Sequence, residues 1–174
     1  MTSPTLMYYD VYKPMAVSAD VSSYGIGSVL MQLWRPVAYC SQCLSDAENR
    51  YTQIEKECLA SVWACERFEK YLYGLEGFKL ISDHKPLVPL MNSKDLDNIP
   101  IRCQRLLMRL MRFNPMAECA LGKTLVIADM LSRSPSRDTQ NNKGMHTDME
   151  FYVAYIIDSM PSMEQKLAAS ELPQ

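Results

Sequence analysis

The stretch MAVSADVSSYGIGSVLMQLWRPVAYCS, Met15 to Ser41, holds three short apolar runs in close succession: Met15–Asp20, Ile26–Gln32 and Val37–Ser41. Gly25 and Gly27 punctuate the first link, and LWRP, ending at Pro36, punctuates the second. Strand-like runs joined by links this short predict an antiparallel meander. Asp20 is the misfit, an acid among apolar and small residues. A carboxylate taken out of water needs a cation, hydrogen bonds or a proton, so Asp20 is the first candidate functional residue. The position three after Gly27 is Leu30, so the glycines do not form a GxGxxG dinucleotide loop. They are read as turn and close-packing positions.

Working outward, LSDAENRYTQIEKECLASVWACERFEKYLYG carries a helical pattern. Ser45 and Glu48 fit a capping box. Ile54, Cys58, Val62, Cys65, Phe68 and Leu72 recur at helical spacing, and Gly74 closes the segment. The spacing predicts one long helix with a break near Tyr51. FKLIS then reads as a short buried strand ending at Asp83, with Pro86 in the first turn of another helix. Strand, helix, strand is a right-handed crossover that returns a parallel strand. A meander joined to such a crossover predicts an α/β fold with a mixed sheet. IRCQRLLMRLMRF predicts a helix with Arg102, Arg105, Arg109 and Arg112 on one face and Cys103, Leu106, Leu107 and Leu110 on the other. MAECA is a weak strand and TLVIADMLSR a final helix.

Composition sets the frame for these elements. Apolar residues make up 48% and charged residues 22% of the 174 residues, values of a globular chain. No apolar run reaches the ~18 residues of a membrane span, and MTSPTLMYYD lacks the basic and apolar parts of a secretory signal. The expectation is an intracellular protein, cytoplasmic or nuclear, with no membrane partner. The six cysteines are expected to be free thiols, with the lone Cys40–Cys43 pair packing at a strand end rather than binding metal. The net charge of −2 comes from the segment after Arg133, so the basic residues before it matter only where they cluster.

Four acids stand in or at the ends of apolar elements: Asp20, Glu57, Asp83 and Asp129. If the strands ending at Asp20 and Asp83 are parallel neighbours, both carboxylates reach one edge of the sheet, where α/β folds place their sites. Ala60, Ser61 and Ala64 follow Glu57 on its helix and let that face approach the sheet closely. Converging acids with few bases repel one another unless a cation joins them. All-oxygen ligands suit Mg²⁺ or Mn²⁺. The competing reading makes each acid a cap or surface residue, and the pattern alone leaves both open.

The motifs SADVSSYGIGSVLMQ, PVAYCSQCLSDAENRYTQIEKECLASVWACERFEKYLYG, ISDHKPL, RCQRLLMRL and LGKTLVIADMLSRSP occur in one order over residues 5–135. Together they resemble the ribonuclease H domain of gypsy-type LTR retrotransposon reverse transcriptases, a fragment of a retroelement polyprotein. The resemblance implies the ribonuclease H-like fold: a five-stranded mixed sheet, a three-strand antiparallel meander plus parallel strands, with flanking helices. It implies a domain over 1–135 and a polar, flexible linker and tail over 136–174. It also implies an endonuclease that hydrolyses the RNA strand of RNA–DNA hybrids with two Mg²⁺ or Mn²⁺ ions. The family's catalytic and metal-ligating acids fall on Asp20, Glu57, Asp83 and Asp129, with Asp20 bridging, Glu57 and Asp83 on one ion and Asp129 on the other. Glu55 lies about 200° around the helix from Glu57 and cannot share its site.

Two further features complete the reading. Arg102, Arg105, Arg109 and Arg112, with Lys123 of the ALGKT loop, are candidate contacts to nucleic-acid phosphates; the alternative is a plain solvent face. That loop lacks the histidine many ribonucleases H carry there, and Leu121 stands where gypsy-type members have proline. The alternative function is therefore a catalytically weakened or inactive nucleic-acid-binding module of the same fold. No YxDD polymerase motif is present, so the polymerase part of a reverse transcriptase is expected as a partner rather than an activity of this chain. A transposase or integrase core is disfavoured because its glutamate comes late in the fold.

Overall fold

The computed structural model describes residues 6–93, 99–120 and 126–135. Five strands, β1 (Met15–Val21), β2 (Gly25–Gln32), β3 (Arg35–Cys43), β4 (Phe78–Ser82) and β5 (Pro115–Cys119), form one sheet in the order β3-β2-β1-β4-β5. β1 pairs antiparallel with β2 and β2 with β3, while β1 pairs parallel with β4 and β4 with β5. The meander, the crossover and the mixed sheet are as the sequence predicts.

The hairpin links differ in detail. Gly25 and Gly27 lie inside β2, and Ser22–Tyr24 make the first turn. Ser22 closes it: its backbone N–H donates to the Gly25 carbonyl at 2.9 Å, and its Oγ accepts from the N–H groups of Tyr24 and Gly25. A hydroxyl thus does the local work expected of glycine. The second link is only Leu33 and Trp34, both at positive φ (52° and 62°), the backbone of a two-residue hairpin turn whose twist matches the strands. Trp34 is 45% exposed there. The register slips between Leu30 and Met31, opposite Pro36 on the edge strand, where a missing N–H is tolerated.

The helical segment breaks where expected. α1 (Asp46–Asn49) carries the Ser45–Glu48 capping box, and α2 (Gln53–Arg67) starts afresh after Thr52, whose N–H donates to Glu55 Oε2 at 2.9 Å. α3 (Glu69–Leu72) ends near Gly74, at φ 85°. α4 (Leu87–Ser93), α5 (Ile101–Leu110), a 3₁₀ turn (Met111–Phe113) and α6 (Val126–Arg133) complete the fold.

Alternation along the strands divides the core. Val17, Ala19, Ile26, Leu30 and Leu80 point to the side of α2, where Cys58, Ala60, Val62, Ala64 and Cys65 are fully buried and Cys103, Leu107 and Leu110 of α5 close the layer. Small residues on α2 bring its axis close to the sheet. The other side is covered by α6, through Ile127, Ala128 and Leu131. Gly27 is what lets it approach: a Cβ there would stand 2.2 Å from the Ala128 carbonyl oxygen and 2.4 Å from the Ser132 nitrogen. All six cysteines are free. No helix among the described residues is long and apolar enough to cross a membrane.

Candidate active site

Asp20 is the next-to-last residue of β1, opposite Gly27 and therefore on the α6 side. Asp83 follows the last residue of β4, the parallel neighbour of β1, so both acids reach the same edge of the sheet. Glu57 comes from the second turn of α2. Carboxylate oxygens of these three lie within 4.8 Å of one another. Asp20 and Glu57 are 7% and 4% exposed, whereas Asp83 opens to solvent.

This trio is short of positive charge. Burial, opposed by the Ser132 hydroxyl and reinforced by Asp129 and Asp83, raises the Asp20 carboxyl above its ordinary range. Burial, with the charges of Asp83 and Asp20, pushes Glu57 up to about 8, against a hydrogen bond from Gln53. Gln53 Nε2 donates to Glu57 Oε1 at 2.7 Å and sets that side chain's direction. Ser132 Oγ shares its proton between Asp20 Oδ2 at 2.7 Å and the Asp129 carbonyl at 2.8 Å. Ser22 Oγ donates to the Ser132 carbonyl at 2.6 Å, tying the first hairpin to the end of α6. An all-oxygen set, partly buried and under-neutralised, fits a hard divalent cation.

Asp129 stands apart from the trio. It sits close enough to act on Asp20, but Arg133, one turn later, directs both Nε and Nη2 to its Oδ1 at 2.8 Å. Among the described residues, the fourth acid is the one with a cation of its own.

The arginines of α5 and of the 3₁₀ turn after it divide in the same way. Arg102 pairs with Glu55 Oε1 at 2.8 Å and lies 4.2 Å from the Tyr51 ring centroid. Arg109 grips Glu66 through Nε and Nη2 at 3.0 and 2.6 Å. Arg112 reaches Glu66 and Glu69 at 3.6 and 3.8 Å. These three clasp α5 to α2 and α3. Arg105 is exposed and belongs to no ion pair found among the described residues. Lys123 lies outside the described residues.

Sequence reasoning did not single out Gln53, Ser132 or Arg133. The signal was helical spacing: Gln53 is four before Glu57, and Ser132 and Arg133 are three and four after Asp129.

A family model described as the RNase H-like domain found in reverse transcriptase matches residues 10–113, which include Asp20, Glu57 and Asp83 but not Asp129. Over 142 residues the chain is 34% identical to the retrovirus-related Pol polyprotein from transposon opus of Drosophila melanogaster, covering 79% of this chain and 14% of that one. It is 33% identical to the Pol polyprotein from transposon gypsy of the same fly, covering 78% and 13%. The chain therefore spans about one seventh of the length of these curated relatives. Among solved structures, it is similar to LC11-RNase H1 in complex with RNA/DNA hybrid (TM-score 0.57, 15% identity, 70% of this chain and 95% of that one). It is also similar to the foamy viral protease-reverse transcriptase in complex with ds DNA (TM-score 0.55, 17% identity, 67% and 22%). At these identities the structural likeness bears on the fold.

Proposed function

The chain belongs to the RNase H-like domains found in reverse transcriptases, and from that premise we propose that it is a divalent-cation-dependent endonuclease that hydrolyses the RNA strand of RNA–DNA hybrids. The observation that carries the reading is the trio of Asp20, Glu57 and Asp83, gathered within 4.8 Å at one edge of the sheet with no ion pair to any of them among the described residues. Asp20, Glu57 and Asp83 would hold one Mg²⁺ or Mn²⁺ ion, and Asp20 with Asp129 a second. Bound there, such ions activate water and offset charge on a phosphodiester.

The chain's own residues provide the framework. Asp20 is held by its β1 pairing with Gly27 of β2 and by the hydrogen bond from the Ser132 hydroxyl. Glu57, aimed by Gln53, gives up its proton on taking a cation, because only the carboxylate is a ligand. Asp83, exposed, faces the side from which a nucleic acid arrives. The product ends expected are a 5′ phosphate on one fragment and a 3′ hydroxyl on the other. In the longer relatives the matched part is a minor fraction of a polyprotein, and the polymerase part of a reverse transcriptase is the proposed partner in gripping the hybrid.

The Arg133 pair on Asp129 favours a second reading, a hybrid-binding module with weak catalysis. One assay separates the two: Mg²⁺-dependent cleavage of an end-labelled RNA–DNA hybrid by the native chain and by Asp20→Asn. Cleavage by the first and its loss in the second is the expected result. Binding without cleavage by the native chain would sink the nuclease reading.

A further inference from the structure

Two groups of acids meet at the end of β1, and they differ in one respect. Asp20, Glu57 and Asp83 converge with hydrogen-bond donors around them, Gln53 on Glu57 and Ser132 on Asp20, but without an ion pair to any of the three among the described residues. Asp129 carries a resident guanidinium, whose Nε–H donates to one carboxylate oxygen at 2.8 Å while Nη2 lies 2.8 Å from the same oxygen. The spacing is i, i+4 within α6, so the pair forms on an already folded helix with little further ordering. Ser132 lies between the two residues of that pair and bonds Asp20. The guanidinium is therefore anchored beside both groups, near enough that its charge acts on Asp20 as well as on Asp129.

We propose that Arg133 is a built-in counter-ion standing in for the second cation, so that the two ions load in a fixed order: the trio first, and Asp129 only when Arg133 releases it. The inference rests on the reading of this site as a two-ion centre. A cation entering at Asp20, Glu57 and Asp83 meets three acids and no displaced partner. A cation that needs Asp129 must break a charge-assisted fork and then share the neighbourhood with the guanidinium. Arg133 is 67% and Asp129 41% exposed. The pair is thus a weak lock, easily opened in high-dielectric surroundings. Once released, the planar fork is positioned at the rim of the site, suited to a phosphate oxygen of the incoming strand. Release of Asp129 and engagement of the backbone would then be one movement, which makes Arg133 a positioning residue for the second ion.

The test is titration of the full 174-residue chain with Mn²⁺, following free Mn²⁺ by electron paramagnetic resonance and heat by calorimetry, without nucleic acid. The native chain is expected to bind one ion tightly and a second more weakly. Arg133→Gln should tighten the second ion about fivefold and affect the first ion less, because Asp20 feels Arg133 through charge alone. Arg133→Lys, which keeps the charge and loses the fork, should fall between. Asp129→Asn should lose the second ion and keep the first. A second ion equally weak, or equally absent, in native and Arg133→Gln chains overturns the ordering role while the metal centre stands. No ion bound by the native chain at millimolar Mn²⁺ overturns the metal centre and this inference with it.

Discussion

Two faces of α2 handle acids in opposite ways. On one, Glu57 is buried with Asp20 and Asp83 and has no basic partner among the described residues. Along its other face Glu55 and Glu66, with Glu69 of α3, are each met by an arginine from α5 or from the 3₁₀ turn that follows it. The residue types are the same, and only the supply of cations differs. Where the fold provides arginines, acids fasten one helix to another, each pair worth ~0–1 kcal/mol at such exposure. Where it withholds them, the acids remain under-neutralised at the cost of stability. Unspent negative charge is what a cation site requires.

The largest effect should come from breaking that second arrangement. Glu57→Gln removes a carboxylate oxygen but keeps the shape and the partner Gln53. Cleavage of a hybrid should fall more than about a hundredfold, beyond the 10–100-fold typical of residues behind a ligand. Cation-free Glu57→Gln should nevertheless melt higher than the native chain at pH 8, by a few degrees, since ~1 kcal/mol is about 2–4 °C at this size. A variant that is both inactive and less stable would mean that Glu57 supports the fold instead.

The pH dependence of the two neighbours has opposite signs. Glu57 titrates near 8 in the folded chain, above its value unfolded, so the native state binds the extra proton. Its contribution is a stability that declines as pH rises from about 4.5 to 8. Glu55 is held low, first by the Thr52 backbone N–H and then by Arg102, and contributes stability that is lost as pH falls below the ordinary glutamate range. Melting the cation-free chain against pH should show the decline on the alkaline side, absent in Glu57→Gln and reduced by Mg²⁺, which favours the deprotonated carboxylate.

Much of this contrast was legible in the sequence. Period-2 and period-3.6 patterns placed every strand and long helix, because burial of one face dictates the pattern. Asp20 and Asp129 stood out because their neighbours are apolar; Asp20 is buried accordingly, whereas Asp129 stays half-exposed. What stayed hidden is what depends on side-chain direction across elements. Arg102, Arg105, Arg109 and Arg112 share a face by spacing, but whether that face meets solvent or α2 is decided by packing. Asp129 lies in the expected helix, yet the fork from Arg133 is a choice of rotamer. Gly27 was legible as a close-packing position, though the partner backbone was not. Gly27→Ala tests that point: its Cβ would collide with the Ala128 carbonyl and the Ser132 nitrogen, and backbone cannot swing aside. A loss of about 1–3 kcal/mol in urea unfolding is expected. Asp20 should lose its Ser132 partner and cleavage should fall with it. Unchanged stability would mean that α6 is free to shift.

The smallest effect separates the arginines that clasp from the one that does not. Arg109→Ala removes both hydrogen bonds to Glu66. It should cost ~0.5–1 kcal/mol of stability and leave the salt dependence of hybrid binding unchanged, because that guanidinium is already committed. Arg105→Ala removes an exposed arginine outside the ion pairs of α5. Its stability should stay within about 0.5 kcal/mol of native. If this face meets the phosphate backbone, Arg105 is the residue free to do so, and its loss should reduce the slope of log K against log salt by about one. Equal slopes for the native chain, Arg105→Ala and Arg109→Ala would assign the whole face to helix packing and solvent. A reduced slope for Arg109→Ala would mean that the clasp opens when the hybrid binds, and that the division between spent and unspent charge on α2 is not fixed.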